Sequence, residues 1–177
     1  MTAATGMTIT QIKNNKNKAH EIYDSIKNNI KFIDSTSKTM VWAESVIRTH
    51  KPDVVILDIG SKFSEEGAST NNHEALKANA IYARNIGKLY GCLVVYCTQL
   101  SAEAEGKIIL NQAMIEGSKT GLAGESDLMI LIARNPPMND QTHDDGMRHL
   151  NIIKNKISGK HTIVNCEFDY ITGEYTS

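Results

Sequence analysis

Cysteine is scarce in this sequence, with only three among 177 residues. Cys92, Cys97 and Cys166 form neither a CxxC pair nor an even disulfide framework. The six histidines show no HExxH motif and no Cys/His spacing typical of a zinc site. These absences argue against a disulfide scaffold, a zinc module and a Cys-His hydrolase. They indicate a reducing, cytoplasmic compartment.

The sequence also lacks an excess of charge of one sign, because 19 lysines and arginines stand against 20 aspartates and glutamates. No global basic field points to nucleic acid, so any contact with a polyanion must be local. A run of about 18 apolar residues, which a membrane-spanning helix needs, is missing as well. The polar start MTAATGMTITQIKNNKNK does not contain the apolar segment of a signal peptide. We therefore expect a soluble, cytoplasmic protein with no membrane partner.

The hydrophobic content of 41% fits one globular domain with a single core. Residues 1–18 are polar and small, which predicts an irregular N-terminal arm. The remaining residues, 19–177, are predicted to form one domain.

Helices and strands alternate along most of this domain. The periodicity predicts helices over 20–29, over 36–50 and from an N-cap at Asn71. Continuous apolar runs predict strands at 53–58, 91–97 and 127–134, and IKFID at 30–34 predicts a shorter one. Two final runs, MRHLNIIKNK and HTIVNCEFDY, flank Gly159 and predict an antiparallel hairpin. The expected fold is α/β, with a mostly parallel sheet, helices on both faces and a C-terminal antiparallel hairpin.

Two polar residues follow predicted strands at positions where open α/β sheets bind ligands, beyond the carboxyl ends of the strands. They are Asp58, after PDVVIL, and Gln99, after GCLVVYCT. An aspartate at the end of an apolar strand can bind Mg²⁺ through water beside a nucleotide phosphate, and Gln99 can sense a γ-phosphate or orient water. The alternative is structural: Asp58 caps a turn, and Gln99 is polar because its strand reaches the surface there.

Lys154 and Lys156 lie two residues apart on a predicted strand, so their side chains point to the same face. Two neighbouring ammonium groups repel each other unless an anion lies between them. The pair therefore predicts an edge that faces phosphate. The alternative is a solvated lysine pair that protects a strand edge from aggregation.

Four segments taken in order, PDVVILD, GCLVVYCTQLS, IEGSKTGLAGESDLMILIARN and LNIIKNKISGK, resemble a known family. They are similar to the carboxyl-terminal part of the RecA-like motor domain of DnaB-type hexameric replicative helicases, phage ones in particular. The resemblance covers roughly residues 30–177. It implies a RecA-like P-loop NTPase core, ATP and Mg²⁺ as cofactors, single-stranded DNA as a partner, and a homo-oligomeric ring, a hexamer in the family.

The resemblance also implies roles for single residues. Asp58 matches the magnesium-associated aspartate of the Walker B strand, and Gln99 matches the sensor residue. Gly117, Ser118 and Asp127 match a Gly-Ser step, a short helix and an aspartate that opens an apolar strand.

The last segment matches a Lys-x-Arg-x-x-Gly pattern whose basic pair reaches the ATP of a neighbouring subunit. Lys154 and Lys156 would form this pair, with Gly159 at the turn. Lys156 replaces the arginine finger, and a lysine cannot make the planar, bidentate contact of a guanidinium group. Because a finger raises turnover by about 10³ to 10⁵, either Lys156 is a weaker finger or the finger lies elsewhere, with Arg148 as a candidate.

The resemblance places a DNA-binding loop after the sensor strand, over about Ser101 to Gln112. Lys107 is the only lysine of this loop, and Glu103 and Glu105 lie close to it. Two carboxylates near one ammonium group are unfavourable for binding a polyanion. A solvated loop without a role in DNA binding is therefore the alternative.

A GxxxxGK[ST] loop, the Walker A cradle for phosphate, does not occur in the sequence. The chain is then a truncated piece, a partner of a separate polypeptide that supplies this half, or a non-catalytic module. We predict part of an ATP-dependent helicase motor that unwinds duplex DNA by translocating on a single strand, and negligible hydrolysis by the chain alone. The alternatives are a RecA-like oligomerisation or binding module and the core of a strand-exchange recombinase.

Overall fold

The computed structural model describes residues 5–63, 72–116, 121–136 and 144–176. The α-helices in these ranges are α1 (Ile9–Asn14), α2 (Lys16–Ile26), α3 (Met40–His50), α4 (Asn72–Tyr90) and α5 (Gly121–Glu125). The strands are β1 (Val54–Leu57), β2 (Leu93–Tyr96), β3 (Leu128–Arg134), β4 (Met147–Asn155), β5 (Thr162–Phe168) and β6 (Tyr175–Thr176). None of the described helices has the length and apolar character that a bilayer crossing requires.

The strands form two sheets. β1 and β2 pair in parallel, with Leu57 opposite Tyr96, and β3, β4, β5 and β6 form an antiparallel sheet in that order. The predicted α/β class and the hairpin of β4 and β5 are confirmed. The predicted mostly parallel sheet is wrong for the described residues, because the apolar strand β3 pairs with β4 in antiparallel orientation.

The described helices that pack on the sheets cover one face. Met40, Ala43 and Ile47 of α3 pack with Leu57 of β1 and with α4 in one buried cluster. A second cluster joins Ala80 of α4, Leu122 of α5 and two side chains of β3, Leu131 and Ala133. The opposite side chains of β1 to β3 are exposed, so helices on both faces, as predicted, are not found among the described residues.

Helix α3 shows how the sequence sets its limits. Thr39 caps its first turn, with its Oγ1 accepting a hydrogen bond of 3.1 Å from the Trp42 N–H. The helix ends at His50, and Lys51 after it adopts a left-handed conformation with φ 47° before Pro52. The predicted range of 36–50 was therefore right at its end and four residues early at its start.

The N-terminal segment is more regular than predicted. Thr8 and Gln11 form a capping box, each side chain bonding to the backbone of the other, and α1 begins there. Helix α2 follows, so the predicted irregular arm is helical from Ile9. IKFID forms no strand; Phe32 in its centre is 92% exposed.

Candidate functional site

Asp58 and Gln99 lie at one edge of the parallel pair. Asp58 follows β1 directly, and Cys97, the next residue of the neighbouring strand, donates its N–H to Leu57 at 3.1 Å. Burial raises the pKa of the Cys97 thiol, and the nearby Asp58 carboxylate raises it further. Both Asp58 and Gln99 are exposed. The structure therefore brings the predicted magnesium residue and the predicted sensor to the same edge.

The carboxylate of Asp58 fits a hydrated magnesium ion. Among the described residues, no three His, Cys, Asp or Glu side chains cluster as a metal cage. Mg²⁺ at nucleotide sites keeps several waters and uses one or two carboxylates together with phosphate oxygens, so a single exposed aspartate is a suitable ligand. Its role remains a prediction.

Lys154 and Lys156 lie together at the far end of β4. The Lys154 ammonium group donates to the carbonyl of Ala123 in α5, and the Lys156 ammonium group is 3.2 Å from the Asp127 carboxylate. Burial lowers the pKa of Lys154, and the charge of Lys156 lowers it further. The two ammonium groups are therefore close enough to repel each other, as the spacing predicted.

The two lysines come close in a different way from the one predicted, which was a shared face of one strand. β4 ends at Asn155, and Lys156 opens the turn instead of continuing the strand. The Asn155 Oδ1 accepts bonds from the N–H groups of Ile157 and Ser158 at 3.0 and 3.1 Å. Gly159 then adopts φ +71°, which a glycine takes without strain. Sequence analysis missed Asn155, although asparagine, serine and glycine close together in a sequence are recognised turn signals.

The ion pair of Lys156 and Asp127 is open to water, with 45% and 64% of the side chains exposed. Solvent screens such pairs, so they hold their partners weakly. An incoming phosphate group can therefore displace Asp127 from Lys156. Asp127, which the resemblance gave a place before β3, thus neutralises part of the lysine charge within this chain.

A third cation, Arg84 of α4, was missed by sequence analysis. Its guanidinium group is 3.1 Å from Glu125, and its charge contributes to lowering the pKa of both Asp127 and Lys154. The only signal in the sequence is its position one turn after Ala80 on the buried stripe of the helix. The lysine pair therefore belongs to a cluster of three cations and two carboxylates.

Arg148, the alternative finger, is bound within its own chain. Its guanidinium group makes two bonds to the Asp144 carboxylate, of 2.8 and 2.9 Å, and packs against the ring of Phe168. Hydrogen bonding from Arg148 holds the pKa of Asp144 well below its usual range. A bidentate, largely buried contact of this kind is costly to break.

The lysine pair and Asp58 lie at opposite ends of the strands. Helix α4 is antiparallel to β2. The chain reverses where the helix ends, and the Cys92 N–H there bonds back to the Gly87 carbonyl at 3.2 Å. Helix α4 is also antiparallel to β3. Its Arg84 bonds Glu125, which precedes β3, whereas Ala80, one turn earlier in the helix, packs with Leu131 and Ala133 further along the strand. β2 and β3 therefore point the same way. Asp58 and Gln99 follow the carboxyl ends of strands, and the lysines lie beside the start of β3.

The loop predicted to bind DNA is anchored at its base. Ser101 donates its N–H to the Met114 carbonyl at 2.7 Å, and its hydroxyl is buried with no hydrogen-bond partner among the described residues. Gln112 is half-buried, and Lys107 is exposed near the tip. The side chain of Asn151 in β4 holds the far side of the loop, which ties the loop to the strand that carries Lys154.

Three predicted positions, the helix N-cap Asn71 and the residues Gly117 and Ser118, lie outside the described residues.

No protein-family model and no curated protein matches the sequence. Solved structures do match. One is a DnaB-like replicative helicase, studied for its interactions with primase, at a TM-score of 0.80 and 16% identity over 99% of this chain and 46% of that chain. Another is the ATPase domain of a second protein, at a TM-score of 0.81 and 16% identity over 99% of this chain and 67% of that chain. This chain thus spans less than half of the first, and it has the RecA-like fold of DnaB-like helicase ATPase domains.

Proposed function

We propose that this chain is part of an ATP-dependent DNA helicase motor that works as a ring of like subunits. The observation that carries the proposal is the separation of two sets of polar side chains. Asp58 and Gln99 lie at one end of the strands, and Lys154 and Lys156 lie at the other. This arrangement suits a nucleotide held between neighbouring subunits, because each subunit can offer one set to each of its two neighbours.

Each set has a distinct task. Asp58 binds hydrated Mg²⁺, and Gln99 contacts the outer phosphate and orients water. Lys154 and Lys156 add positive charge to the phosphates of the neighbour's nucleotide, and Gly159 fixes the turn that presents them. The nucleotide, when bound, supplies the phosphoryl transfer that drives movement.

Single-stranded DNA is the proposed track. The loop from Ser101 to Gln112 follows Gln99 closely in sequence. A change in the contact between Gln99 and the outer phosphate is therefore transmitted to the loop through few bonds. Backbone amides and Lys107 contact the phosphates of the strand. Because the chain has almost no net charge, a single subunit binds DNA weakly. A ring compensates for this by binding the strand with several loops at once.

The residues present fit magnesium and the outer phosphates but not the whole nucleotide. Because residues 1–177 contain no GxxxxGK[ST] loop, we infer that a segment outside them cradles the inner phosphates. We therefore expect the chain alone to show negligible ATP hydrolysis. Magnesium-dependent turnover by the purified chain that Asp58→Ala abolishes would refute this part of the proposal.

The decisive experiment mixes variants. The chain is combined with a recombinant polypeptide that supplies a GxxxxGK[ST] loop, and DNA-stimulated ATP hydrolysis is measured. Lys156→Ala should lower turnover by roughly 10³, the lower end of the effect of a finger. Lys156→Arg should raise it, since guanidinium binds phosphate in a bidentate way. Lys160→Ala, an exposed lysine of the same turn, is the matched control.

Mixing Lys156→Ala with Asp58→Ala subunits tests the contact across the interface. Some interfaces of a mixed ring receive both intact residues, so turnover should return in part. No recovery in the mixture would show that both residues act within one subunit. An oligomer size that does not change with ATP would favour the non-catalytic module. Filaments on single-stranded DNA would favour a recombinase.

A further inference from the structure

Three cationic side chains meet at the end of the short helix α5. Arg84 of α4 contacts Glu125, the last residue of α5, at 3.1 Å, and the Lys154 ammonium group donates to a carbonyl of the same helix. Lys156 contacts Asp127, two residues after the helix, at 3.2 Å. Because all three side chains are attached to one short stretch of chain, a single anion with several charged oxygens can reach them together.

This cluster carries one more positive charge than negative charge, since three cations face only the carboxylates of Glu125 and Asp127. Lys154 forms no ion pair with a carboxylate among the described residues. Burial lowers the pKa of Lys154, and the positive charges of Lys156 and Arg84 lower it further. The ammonium group of Lys154 is therefore held where a positive charge is unfavourable, and a bound anion would stabilise it.

The guanidinium group of Arg84 is only partly used. Its Nη1 donates to the Glu125 carboxylate, and 34% of the Arg84 side chain is exposed. Its Nε is buried and finds no acceptor among the described residues. A guanidinium fork can bind two oxygens of one phosphate side by side. Much of the hydrogen-bonding capacity of Arg84 is therefore available to a ligand.

Arg148, the other arginine considered for this role, cannot join the lysine pair. It lies six residues before Lys154 in β4, which is roughly 20 Å along an extended strand. Its side chain is only 13% exposed, and Asp144 holds its guanidinium group through two bonds. Of these two arginines, only Arg84 is placed to act together with the lysines.

We propose that Arg84, Lys154 and Lys156 form one binding site for a polyphosphate anion, and that two carboxylates of the chain itself neutralise this site until the anion arrives. The carboxylates are those of Glu125 and Asp127. Arg84 supplies the bidentate contact that Lys156 cannot make. Both ion pairs are partly open to water, which weakens them, so an anion with several charges displaces the single carboxylates.

The site itself is inferred from these contacts alone. The identification of its ligand as the phosphates of a neighbouring subunit's nucleotide rests on the proposed function. In that setting Arg84 is a further phosphate-binding residue, on α4 instead of on the turn after β4.

The two carboxylates compete with the ligand, which gives the proposal a signature. Glu125→Gln and Asp127→Asn should each strengthen anion binding, because each removes a competing negative charge. Arg84→Ala should weaken it. If the contact between Arg84 and Glu125 only tied α4 to α5, both substitutions of this pair would lower the stability and neither would change the affinity for an anion. Opposite effects on affinity therefore distinguish a binding site from a structural ion pair.

The test titrates the full chain with inorganic tripolyphosphate in a calorimeter, at constant ionic strength and without magnesium. Arg84→Ala should weaken binding roughly tenfold, the loss expected for a hydrogen bond to a charged group. Arg84→Lys keeps the charge but not the fork, so its affinity should lie between those of Arg84→Ala and the unmodified chain. Arg48→Ala, at an exposed arginine of α3, is the matched control and should leave the affinity unchanged.

Circular dichroism and urea denaturation check that each variant folds. If Arg84→Ala does not fold, Arg84→Lys and Glu125→Gln decide the question. No binding of tripolyphosphate, no loss of affinity in the Arg84 variants, or weaker binding by Glu125→Gln would overturn the proposal. An equal loss in Arg48→Ala would do so too, because the anion would then respond to the charge of the whole chain and not to this site.

The outcomes separate this inference from the proposed function. Tripolyphosphate binding that depends on Arg84, without any ATP hydrolysis by the combined polypeptides, would sustain the site and refute the motor. Hydrolysis that falls in Lys156→Ala but is unchanged in Arg84→Ala would sustain the motor and overturn the role of Arg84.

Discussion

The buried side chain of Asn151 should decide the shape of the loop after Gln99. Asn151 is 2% exposed and makes three hydrogen bonds. Its Oδ1 accepts from the N–H of Leu110 at 3.0 Å, and its Nδ2 donates to the carbonyls of Ile108 and His149, both at 3.0 Å. Leu110 is itself buried, so water cannot replace the lost partner of its N–H group.

The expected cost of Asn151→Ala follows from these bonds. A buried donor left without a partner costs about 1–3 kcal/mol, and an ordinary lost hydrogen bond adds about 1 kcal/mol. We therefore expect the free energy of unfolding to fall by about 2–4 kcal/mol, a large share of the roughly 5–15 kcal/mol that stabilises a typical domain. Asn151→Asp should be no better, because a carboxylate cannot donate to the two carbonyl groups and brings a buried charge.

Urea denaturation measures the loss, with Asn28→Ala as control. Asn28 is exposed, and its replacement should change stability by less than about 0.5 kcal/mol. Hydrogen exchange should show the Leu110 amide losing its protection in Asn151→Ala. If stability changed as little as in the control and the amide stayed protected, apolar packing of the loop, and not Asn151, would hold it.

Two further changes test the packing. Gly60→Ala should lower the free energy of unfolding, measured in urea, by about 1–3 kcal/mol, because a methyl group there would overlap the ring of Tyr96. Gly124→Ala, where the added methyl group meets open space, should not destabilise the protein. Equal effects of the two substitutions would contradict the overlap. The hydrogen bond to Glu44 raises the pKa of Tyr82 from 10.0 to about 12, so its stabilisation is complete below pH 10.0 and is lost as the pH rises towards 12. Tyr82→Phe should remove this loss between pH 10.0 and 12 in denaturation curves, and an unchanged slope would contradict the assignment.

Local patterns in the sequence predicted local structure well. The hairpin of β4 and β5 followed from two apolar runs around a glycine. The closeness of Lys154 and Lys156 was predicted from their spacing, although the turn after Asn155, and not a continued strand, produces it. The edge position of Asp58 and Gln99 followed from the rule for parallel strands. Each of these depends on residues that are near in sequence or on one pair of strands.

The neighbours of each strand could not be predicted in the same way. β3 is as apolar as a strand buried in a parallel sheet, yet it pairs with β4 and exposes Ile130 and Ile132. An apolar run indicates a strand but does not say what covers its faces. Arg84 was missed for a similar reason, because its approach to Glu125 depends on how two helices pack.

The capping box at Thr8 and Gln11, in contrast, was visible in the sequence. A threonine followed three residues later by a glutamine is a start signal for a helix. The polar composition of the segment outweighed that signal, and the arm was predicted as irregular. Capping patterns therefore deserve weight even where few apolar residues follow.

The aliphatic surface of β1 to β3, which the described part of the chain leaves exposed, also bears on how the protein is made. Uncovered strand edges beside apolar side chains serve as templates for aggregation. A copy whose aliphatic surface stays exposed would therefore be a client for chaperones and proteases. Expression of this chain by itself should send much of it into inclusion bodies.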